Sequence, residues 1–385
     1  MTASSPLASR VRLSLFLGTL SAALLASALV IVQGVNLDRT EAVVDALANH
    51  IMADVGTDTG RIVHDLIDPV AASLRMIAAV EGTSPGIFRD ETSVNILYRA
   101  LTAAPQIDAV YTTFEDGFHR AVTRIDNNRR RRDPRIPVAA NWHSSWVNPF
   151  QDGVMRRRNR TFYDTWPHAV ARYGFEESTD QRQVLWQYRE AKRTGHLAIS
   201  DPVIDPDTGF PMLVIGYPIM VGGELAGVAS ANITMKALSE FLQERKASPN
   251  SITAIVDADG LVVAYPDTAQ MARTSAGKLE VRKATDLADV QVVRALAQRG
   301  ERNSGRFTFT AGPNDADYIA VFSPLPALSD KKWLIAVVAP VDDFLGGLRQ
   351  DRWETVLVFA VLVVAMFVAV TAACLALLRR YQPAP

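Results

Sequence analysis

The sequence predicts a mixed α/β (α+β) protein in which a long N-terminal helix leads into two tandem modules, each with a central antiparallel sheet. Three observations support this prediction. An uncharged segment lies near each end, helical periodicity follows the first of these segments, and the rest of the chain shows two rounds of short strands separated by turns. The uncharged segments predict two transmembrane helices that flank the modules.

The two uncharged segments, 13–35 and 356–378, each run for 23 residues without a charged side chain. About 20 apolar residues are enough to cross the hydrocarbon core of a bilayer. The flanking basic residues are Arg10, Arg12, Arg379 and Arg380. Because positive charge favours the cytoplasmic side, the tails 1–12 and 379–385 are predicted to be cytoplasmic. The chain is then predicted to cross the membrane twice and to hold its large domain outside the cytoplasm.

A cleaved signal peptide is the competing interpretation of the first segment. The small residues at 26–28 (Ala-Ser-Ala) are typical of a cleavage site, but the apolar run continues to Val32 and is long for a signal peptide. An uncleaved anchor is therefore favoured. The only cysteine, Cys374, lies in the second segment, so the large domain has neither disulfides nor a thiol nucleophile.

Charge is informative locally rather than globally. The chain has 40 basic and 41 acidic residues and a formal net charge of −1. Residues 120–160, however, hold eleven arginines and only three acidic residues. Such a cluster could attract an anion such as a dicarboxylate or phosphate, or it could be two solvated loops. A nucleic-acid partner is not expected for a domain outside the cytoplasm.

A long stalk helix is predicted over 36–80, after the first uncharged segment. Its apolar residues recur mostly at steps of three, four or seven: Val43, Leu47, Ile51, Val55, Ile62, Leu66, Val70, Leu74 and Ile77. At 1.5 Å per residue this helix would reach about 65 Å. Pro69 is a potential kink.

Strand patterns define the two modules, which we place at 81–234 and 235–350. In the first module, a β-rich run at 107–114 precedes the segment 120–182, whose weak periodicity predicts long loops and short helices. A meander of strands follows over 195–233. The predicted elements of the second module are a helix at 235–246, a hairpin at 252–265, a helix at 288–299, and strands at 305–310, 318–322 and 333–338.

These elements resemble the double Cache family of bacterial extracytoplasmic sensor domains. The resemblance covers about residues 36–350 and rests on four stretches: 160–163 (Arg-Thr-Phe-Tyr), 199–209 (Ile-Ser-Asp-Pro-Val-Ile-Asp-Pro-Asp-Thr-Gly), 254–260 (Ala-Ile-Val-Asp-Ala-Asp-Gly) and 333–340 (Trp-Leu-Ile-Ala-Val-Val-Ala-Pro). It implies a membrane-emergent helix and two PAS-like modules, the first distal and the second proximal to the membrane. The distal module usually binds the ligand.

The resemblance also implies a ligand site. Amino-acid-binding members use an Arg-x-Trp-Tyr segment, in which the arginine pairs with a carboxylate. Arg160, Phe162 and Tyr163 match this segment, with phenylalanine in place of tryptophan. Those members also carry a tyrosine five residues before the arginine, where this chain has Met155. That departure puts the amino-acid assignment in doubt. Arg160 could instead be a structural arginine held by loop carbonyls or acids.

An acidic residue downstream would receive the ammonium of an amino acid. Asp201 or Asp205 could take this role, and Tyr111 could line the pocket. Asp205 has an alternative interpretation, because it precedes Pro206 and opens a turn that ends at Gly209. Both interpretations of Asp205 stay open at the level of sequence.

No enzyme motif is found: the sequence lacks a glycine-rich phosphate loop, a His-Glu-x-x-His motif and a Gly-x-Ser-x-Gly motif. No cofactor or metal is expected. We expect a bacterial inner-membrane sensor or receptor with a periplasmic large domain. Its ligand would be a small anionic or zwitterionic solute, such as an amino acid or an organic anion. The protein would form a homodimer. Because the tails are short, the signal would pass to a separate partner or to a missing output domain.

The alternative to a sensor is a regulatory membrane subunit that binds no ligand and contacts another envelope protein. An extracytoplasmic hydrolase is a distant third. Substitution of Arg160 separates the first two hypotheses.

Overall fold

The computed structural model describes residues 6–149, 157–177, 180, 182, 185–275, 277–300, 304–325 and 331–344, together with separate positions between 358 and 376. The chain divides into two compact units. One comprises Met52–Pro340 and contains both sheets. The other combines Met1–Ile51 with Val341–Pro385.

Helix α1 (Pro6–Thr83) contains the predicted stalk and extends beyond it at both ends. Pro69 lies inside this helix. Val63, Ile67 and Leu74 are buried at spacings of four and seven, as expected for the apolar stripe of a helix that packs on a domain. Leu47, which we assigned to the same stripe, is half-exposed.

Within the part of the chain that the structure describes, no helix combines the length and apolar character needed to cross a bilayer. The first predicted span lies within α1, and the second is described only in part. Both spans, and the topology inferred from them, stay predictions.

The first module is built on a nine-stranded antiparallel sheet in the order β5-β4-β3-β2-β1-β9-β8-β6, with β7 also paired to β8. The strands are β1 (Ile107–Phe114), β2 (His119–Arg124), β3 (Trp142–Val147), β4 (Arg157–Thr165), β5 (His168–Glu177), β6 (Ala198–Ile199), β7 (Val203–Ile204), β8 (Pro211–Val221) and β9 (Glu224–Thr234). Three helices accompany them: α2 (Ser93–Ala103), α3 (Asn127–Arg132) and α4 (Trp186–Thr194).

The prediction of long loops and short helices over 120–182 is wrong where β3, β4 and β5 form, whereas α3 is a short helix within this segment. Neighbouring strands pair in register, for example His143 with Phe162. The usual alternation of apolar and polar residues is absent because polar and aromatic residues occupy both faces of these strands. Trp142 and Tyr163, for instance, stack on the face opposite the one that carries Arg160. A strand without a consistently apolar face does not show the period of two.

The second module has a five-stranded antiparallel sheet in the order β11-β10-β16-β15-β14. Its strands are β10 (Ile252–Val256), β11 (Val262–Ala264), β14 (Gly305–Ala311), β15 (Ala316–Pro324) and β16 (Leu334–Pro340), and a separate hairpin joins β12 (Ala272–Ser275) to β13 (Lys278–Val281). Helix α5 (Lys236–Glu244) connects the two modules, and α6 (Val290–Arg299) packs near β14 and β16. The predicted mixed α/β class with antiparallel sheets is confirmed.

Candidate functional site

The sheet of the first module has two unlike faces, because side chains alternate across a strand. One face, here called the α2 face, lies against helix α2: Arg124 donates from Nη2 to the carbonyl of Leu101, at 2.6 Å. The other, the α4 face, lies against helix α4: Gln187 donates from Nε2 to the hydroxyl of Tyr111, at 2.7 Å. Three of the predicted site residues, Tyr111, Arg160 and Phe162, belong to the α4 face.

Tyr111 and Arg160 lie in one row of directly paired residues across the sheet. From one side of the row to the other, the residues are Ser230, Tyr111, Ala121, Ser145 and Arg160. Since neighbouring strands are about 4.8 Å apart, the strands of Tyr111 and Arg160 are separated by about 14 Å. The two residues between them are small. The sheet surface between the two large polar side chains therefore carries only the small residues Ala121 and Ser145.

The arginine end of this row is electrostatically positive. Arg160 is largely buried, and its Nη1 lies 3.2 Å from Oδ2 of Asp133. Burial, together with the charges of Arg160, Arg129 and Arg158, lowers the pKa of His143 to about 3. The ring is therefore neutral at physiological pH, and its buried Nδ1 has no hydrogen-bond partner among the described residues. This environment favours the carboxylate of a solute.

The acidic end of the site is a buried triad near Tyr111, at the start of β1, and its Arg129 also acts on His143. Arg129 is 5% exposed and pairs with two buried carboxylates: Nη1 and Nη2 lie 2.9 and 2.8 Å from Asp108, and Nη2 lies 2.7 Å from Asp205. Two carboxylates share one guanidinium, so the ionised triad carries a net negative charge. Burial, supplemented by the charge of Asp205, raises the pKa of Tyr111. Burial also raises the pKa of Asp108.

The Tyr111 hydroxyl belongs to a buried polar cluster. It donates to Oδ1 of Asn232 at 3.0 Å and accepts from Gln187. Ser230 is fully buried beside it, and within the described part of the chain its Oγ has no hydrogen-bond partner. Helix α4 can approach this closely because Gly216 has no side chain: a Cβ there would lie 3.0 Å from the Gln187 carbonyl oxygen. A buried hydroxyl without a partner is expected where a ligand or water binds.

Phe162 and Tyr163 occupy opposite faces of β4. Phe162 lies on the α4 face but is 1% exposed and packs with Ile136 and Ala140, as part of the core. Tyr163 lies on the α2 face, where its ring stacks on Trp142 with centroids 4.1 Å apart. Tyr163 is therefore not brought together with Arg160. For both aromatic residues, ligand contact stays a prediction that this geometry does not support.

Asp201 and Asp205 are in different surroundings. Asp201 is about half-exposed, and its Oδ1 lies 2.6 Å from Nζ of Lys331 in the second module. Asp205 is buried in the triad and also accepts hydrogen bonds from the Thr208 hydroxyl and the Asp207 amide. Both interpretations of Asp205 are therefore compatible with its placement: it shapes a turn and forms part of the acidic end. Ligand contact by Asp201 stays a prediction.

Sequence reasoning missed the most buried cation of the site. Arg129 is the first of four consecutive arginines, which we interpreted as either an anion site or a solvated loop. One signal was available. Asp is a common residue directly before a helix, and Asp126 caps α3 by accepting a hydrogen bond from the Arg129 amide at 2.8 Å. That cap fixes the start of α3, but only the tertiary structure shows which arginine points inward.

Comparison with known families decides the classification. A family model for the double Cache family (dCache_1), described as a Cache domain, matches residues 90–348, more than half of the chain. The chain belongs to the double Cache family. The resemblance drawn from the sequence is thereby confirmed.

Individual relatives of this double Cache protein are distant. It is 22% identical over 184 residues to methyl-accepting chemotaxis protein PscA of Pseudomonas syringae pv. tomato, covering 48% of this chain and 26% of PscA. It is 24% identical over 359 residues to adenylate cyclase 1 of Rhizobium meliloti, covering 87% of this chain and 49% of the cyclase. The chain thus spans less than half the length of either relative.

Solved structures show the same fold. The ligand-binding domain of the Pseudomonas fluorescens chemoreceptor CtaA, in complex with L-isoleucine, has a TM-score of 0.50 and 17% identity, covering 80% of this chain and 98% of the domain. The extracellular domain of a protein described as histidine kinase mmHK1S-Z3 has a TM-score of 0.51 and 16% identity, covering 79% and 98%. At these identities the likeness concerns the fold alone.

Proposed function

We propose that this double Cache protein is a sensor that binds a small zwitterionic solute on the α4 face of its first module. The observation that carries the proposal is the polarity of one row of side chains, with Arg160 at one end and Tyr111 beside the Arg129 triad at the other. Arg160 would pair with the carboxylate of such a solute, and the net negative triad would attract its ammonium group. The small residues Ala121 and Ser145 leave room between them.

An amino acid fits this arrangement better than a simple organic anion does. The arginine end would attract either solute. A dianion, however, would place its second charge toward the triad, in which two carboxylates share one guanidinium. Like charges at short range in a buried site are unfavourable, whereas an ammonium group is attracted. That the chemoreceptor CtaA was crystallised with L-isoleucine supports the same class of solute.

The proposed sensor has no catalytic activity of its own and passes its signal to a separate partner or an output domain. In this proposal, the chain lies in the inner membrane as a homodimer, with its large domain periplasmic. The relatives support a role in signalling, since one is a chemotaxis protein and another an adenylate cyclase. The family match supports the sensory role, and the uncharged segments at 13–35 and 356–378 support the membrane anchor.

A thermal-shift screen of the full chain tests the proposal. The panel contains amino acids, organic acids, amines, purines and phosphate. A ligand that binds only the folded state raises the melting temperature with increasing concentration. We expect stabilisation by one or more amino acids, weakened in Arg160→Ala and retained in Arg172→Ala. Arg172 is a matched control, because it lies on the neighbouring strand, is exposed, and pairs with Thr161 on the α2 face.

Two results would oppose the proposal. Equal stabilisation of both arginine variants would place the solute elsewhere. If no solute in the panel stabilises the chain, while Arg160→Ala changes association with another envelope protein, the regulatory-subunit hypothesis gains instead.

A further inference from the structure

A second cavity lies where the two modules meet. It has a volume of about 720 Å³, within the range of about 300–1,000 Å³ that is typical of small-molecule sites. Its walls come from the start of β1, from α3, from α5 and from the loop that contains Pro266. Arg160 and Tyr111 do not line it. It is therefore separate from the candidate site on the α4 face.

The bed of this cavity is apolar. Pro105, Ile107, Phe210, Pro211 and Pro266 contribute to its lining. Phe210 is 38% exposed, although aromatic side chains of this size are usually better covered. An apolar bed that includes a partly exposed phenylalanine suits the hydrophobic part of a small ligand.

The rims of the cavity carry opposite charges in equal number. The α3 side provides Asp126 and Arg131, and the α5 side provides Lys236 and Glu240. The Lys236 ammonium is 3.6 Å from Glu240, and both side chains are more than half exposed, so their pairing is weak. Arg124 also lines the cavity, but its guanidinium donates to backbone carbonyls. Asp108 is the third acidic residue of the lining, so its three acidic and three basic residues balance.

The cavity shares one wall with the candidate site. Asp108 lines the cavity, and its carboxylate also holds Arg129, which in turn contacts Asp205. A ligand in the cavity would therefore touch the residue that fixes the buried triad. A change in the position of the Asp108 carboxylate would be transmitted to the acidic end of the site through these two ion pairs.

We infer that this cavity is a second binding site, for an amphipathic zwitterion such as an apolar amino acid. The hydrophobic side chain lies on the Phe210 bed, and the charged groups meet the α3 and α5 rims. The site is distinct from the one under Proposed function and does not depend on it. Because the two sites share Asp108, occupation of either one alters the affinity of the other by the same factor.

The test uses the full-length Arg160→Ala variant, in which the candidate site on the α4 face is impaired. The probes are the twenty L-amino acids, and the readout is the melting temperature as a function of probe concentration. We expect an apolar amino acid to stabilise this variant. Adding Gln243→Trp, which places a large ring into the cavity from an exposed position on α5, raises the dissociation constant by at least about tenfold. Gln243→Ala leaves it within about twofold.

Asn128→Trp blocks the same cavity from the α3 wall and guards against a folding defect specific to one tryptophan variant. The inference is overturned if no amino acid stabilises Arg160→Ala, or if stabilisation survives both Gln243→Trp and Asn128→Trp. Failure of the proposed function has a different signature, namely equal responses of the wild-type chain and Arg160→Ala to every probe.

Discussion

The two modules share a plan of antiparallel sheet and flanking helices but differ in what their sheets bury. Around the first sheet, the buried charged residues include Asp108, Arg120, Arg129 and Asp205. The central strands of the second sheet bury mainly aliphatic residues, such as Ile255, Ile335 and Val337. The described part of the second module has one buried acid, Asp257, in the turn after β10, where its carboxylate accepts backbone amides.

We interpret this difference as a division of roles, in which the first module binds the proposed ligand and the second module stabilises the fold. A buried charge is costly unless it is paired, and replacement of a buried ion pair by apolar residues is often neutral or stabilising. Stability alone therefore does not explain the charges of the first sheet, and the polar ligand proposed above would account for them. The central strands β10 and β16 of the second sheet are instead buried mainly through aliphatic residues. The predictions below probe this contrast, in order of decreasing effect.

The largest effect is expected from Arg129→Met. It removes the guanidinium that neutralises Asp108 and Asp205 and leaves two buried carboxylates without compensation. We expect a loss of about 3–5 kcal/mol in the free energy of unfolding. Denaturant unfolding of the full chain measures it. The exposed neighbour Arg131→Met is the control and should change stability by less than about 0.5 kcal/mol. Similar small losses in both variants would contradict a structural triad.

Truncation of the second sheet should affect stability but not binding. Ile335 in β16 is 1% exposed, so Ile335→Ala leaves a cavity in a close-packed core. We expect a loss of about 2–5 kcal/mol in the free energy of unfolding. Calorimetric titration below the melting temperature should show unchanged affinity for any amino acid that binds the first module. A large drop in affinity would mean that the contrast between the modules is wrong.

The free energy of unfolding should depend on pH because His143 is buried as a neutral ring. Its folded pKa of about 3 lies below the ordinary 6.5, so between these values the unfolded chain binds a proton that the folded chain does not. Stability therefore falls as pH decreases below about 6.5. Relative to His143→Gln, we expect the wild type to lose about 1 kcal/mol more between pH 7 and pH 5.5. Parallel stability profiles would show that His143 is not buried as a neutral ring.

The smallest effect concerns the link between the modules. Lys331 is largely buried, pairs with Asp201 of the first module, and lies 5.5 Å from the ring centroid of Trp186 at the start of α4. Because Asp201 is half-exposed, we expect a coupling free energy of about 0.2–1 kcal/mol in a double-mutant cycle of Lys331→Met and Asp201→Asn. If the two substitutions lower the free energy of unfolding in a strictly additive way, this ion pair does not stabilise the contact between the modules.

The sequence predicts the second module more completely than the first, for a physical reason. Alternating or continuous apolar strands with clear turns mark the hairpin of β10 and β11, and the structure forms it. In β3 and β4, by contrast, His143, Arg160 and Trp142 are placed by tertiary contacts on both faces, so no local period identifies the strands. The residue types that suit a binding surface are those that conceal the strand pattern.

The candidate site was predictable only in part. The resemblance to the family pointed to Arg160 and Tyr111, and the structure places them in one cross-strand row. Their surroundings depend on strand register and helix packing, which no local pattern specifies. Gln187 and Tyr111 are 76 positions apart in the sequence, and so are Arg129 and Asp205. The same alternation places Tyr163 on the opposite face from Arg160, although the motif groups them together.

The central claim is that Arg160 binds the carboxylate of a zwitterionic solute. The most direct test is calorimetric titration of the wild-type chain and Arg160→Ala with the most strongly stabilising amino acid of the panel and with its carboxamide. We predict that loss of the carboxylate charge weakens binding to the wild type by at least about tenfold, or about 1.4 kcal/mol, and hardly changes binding to Arg160→Ala. An equal loss of affinity in both proteins would show that the carboxylate is bound elsewhere and would contradict the account.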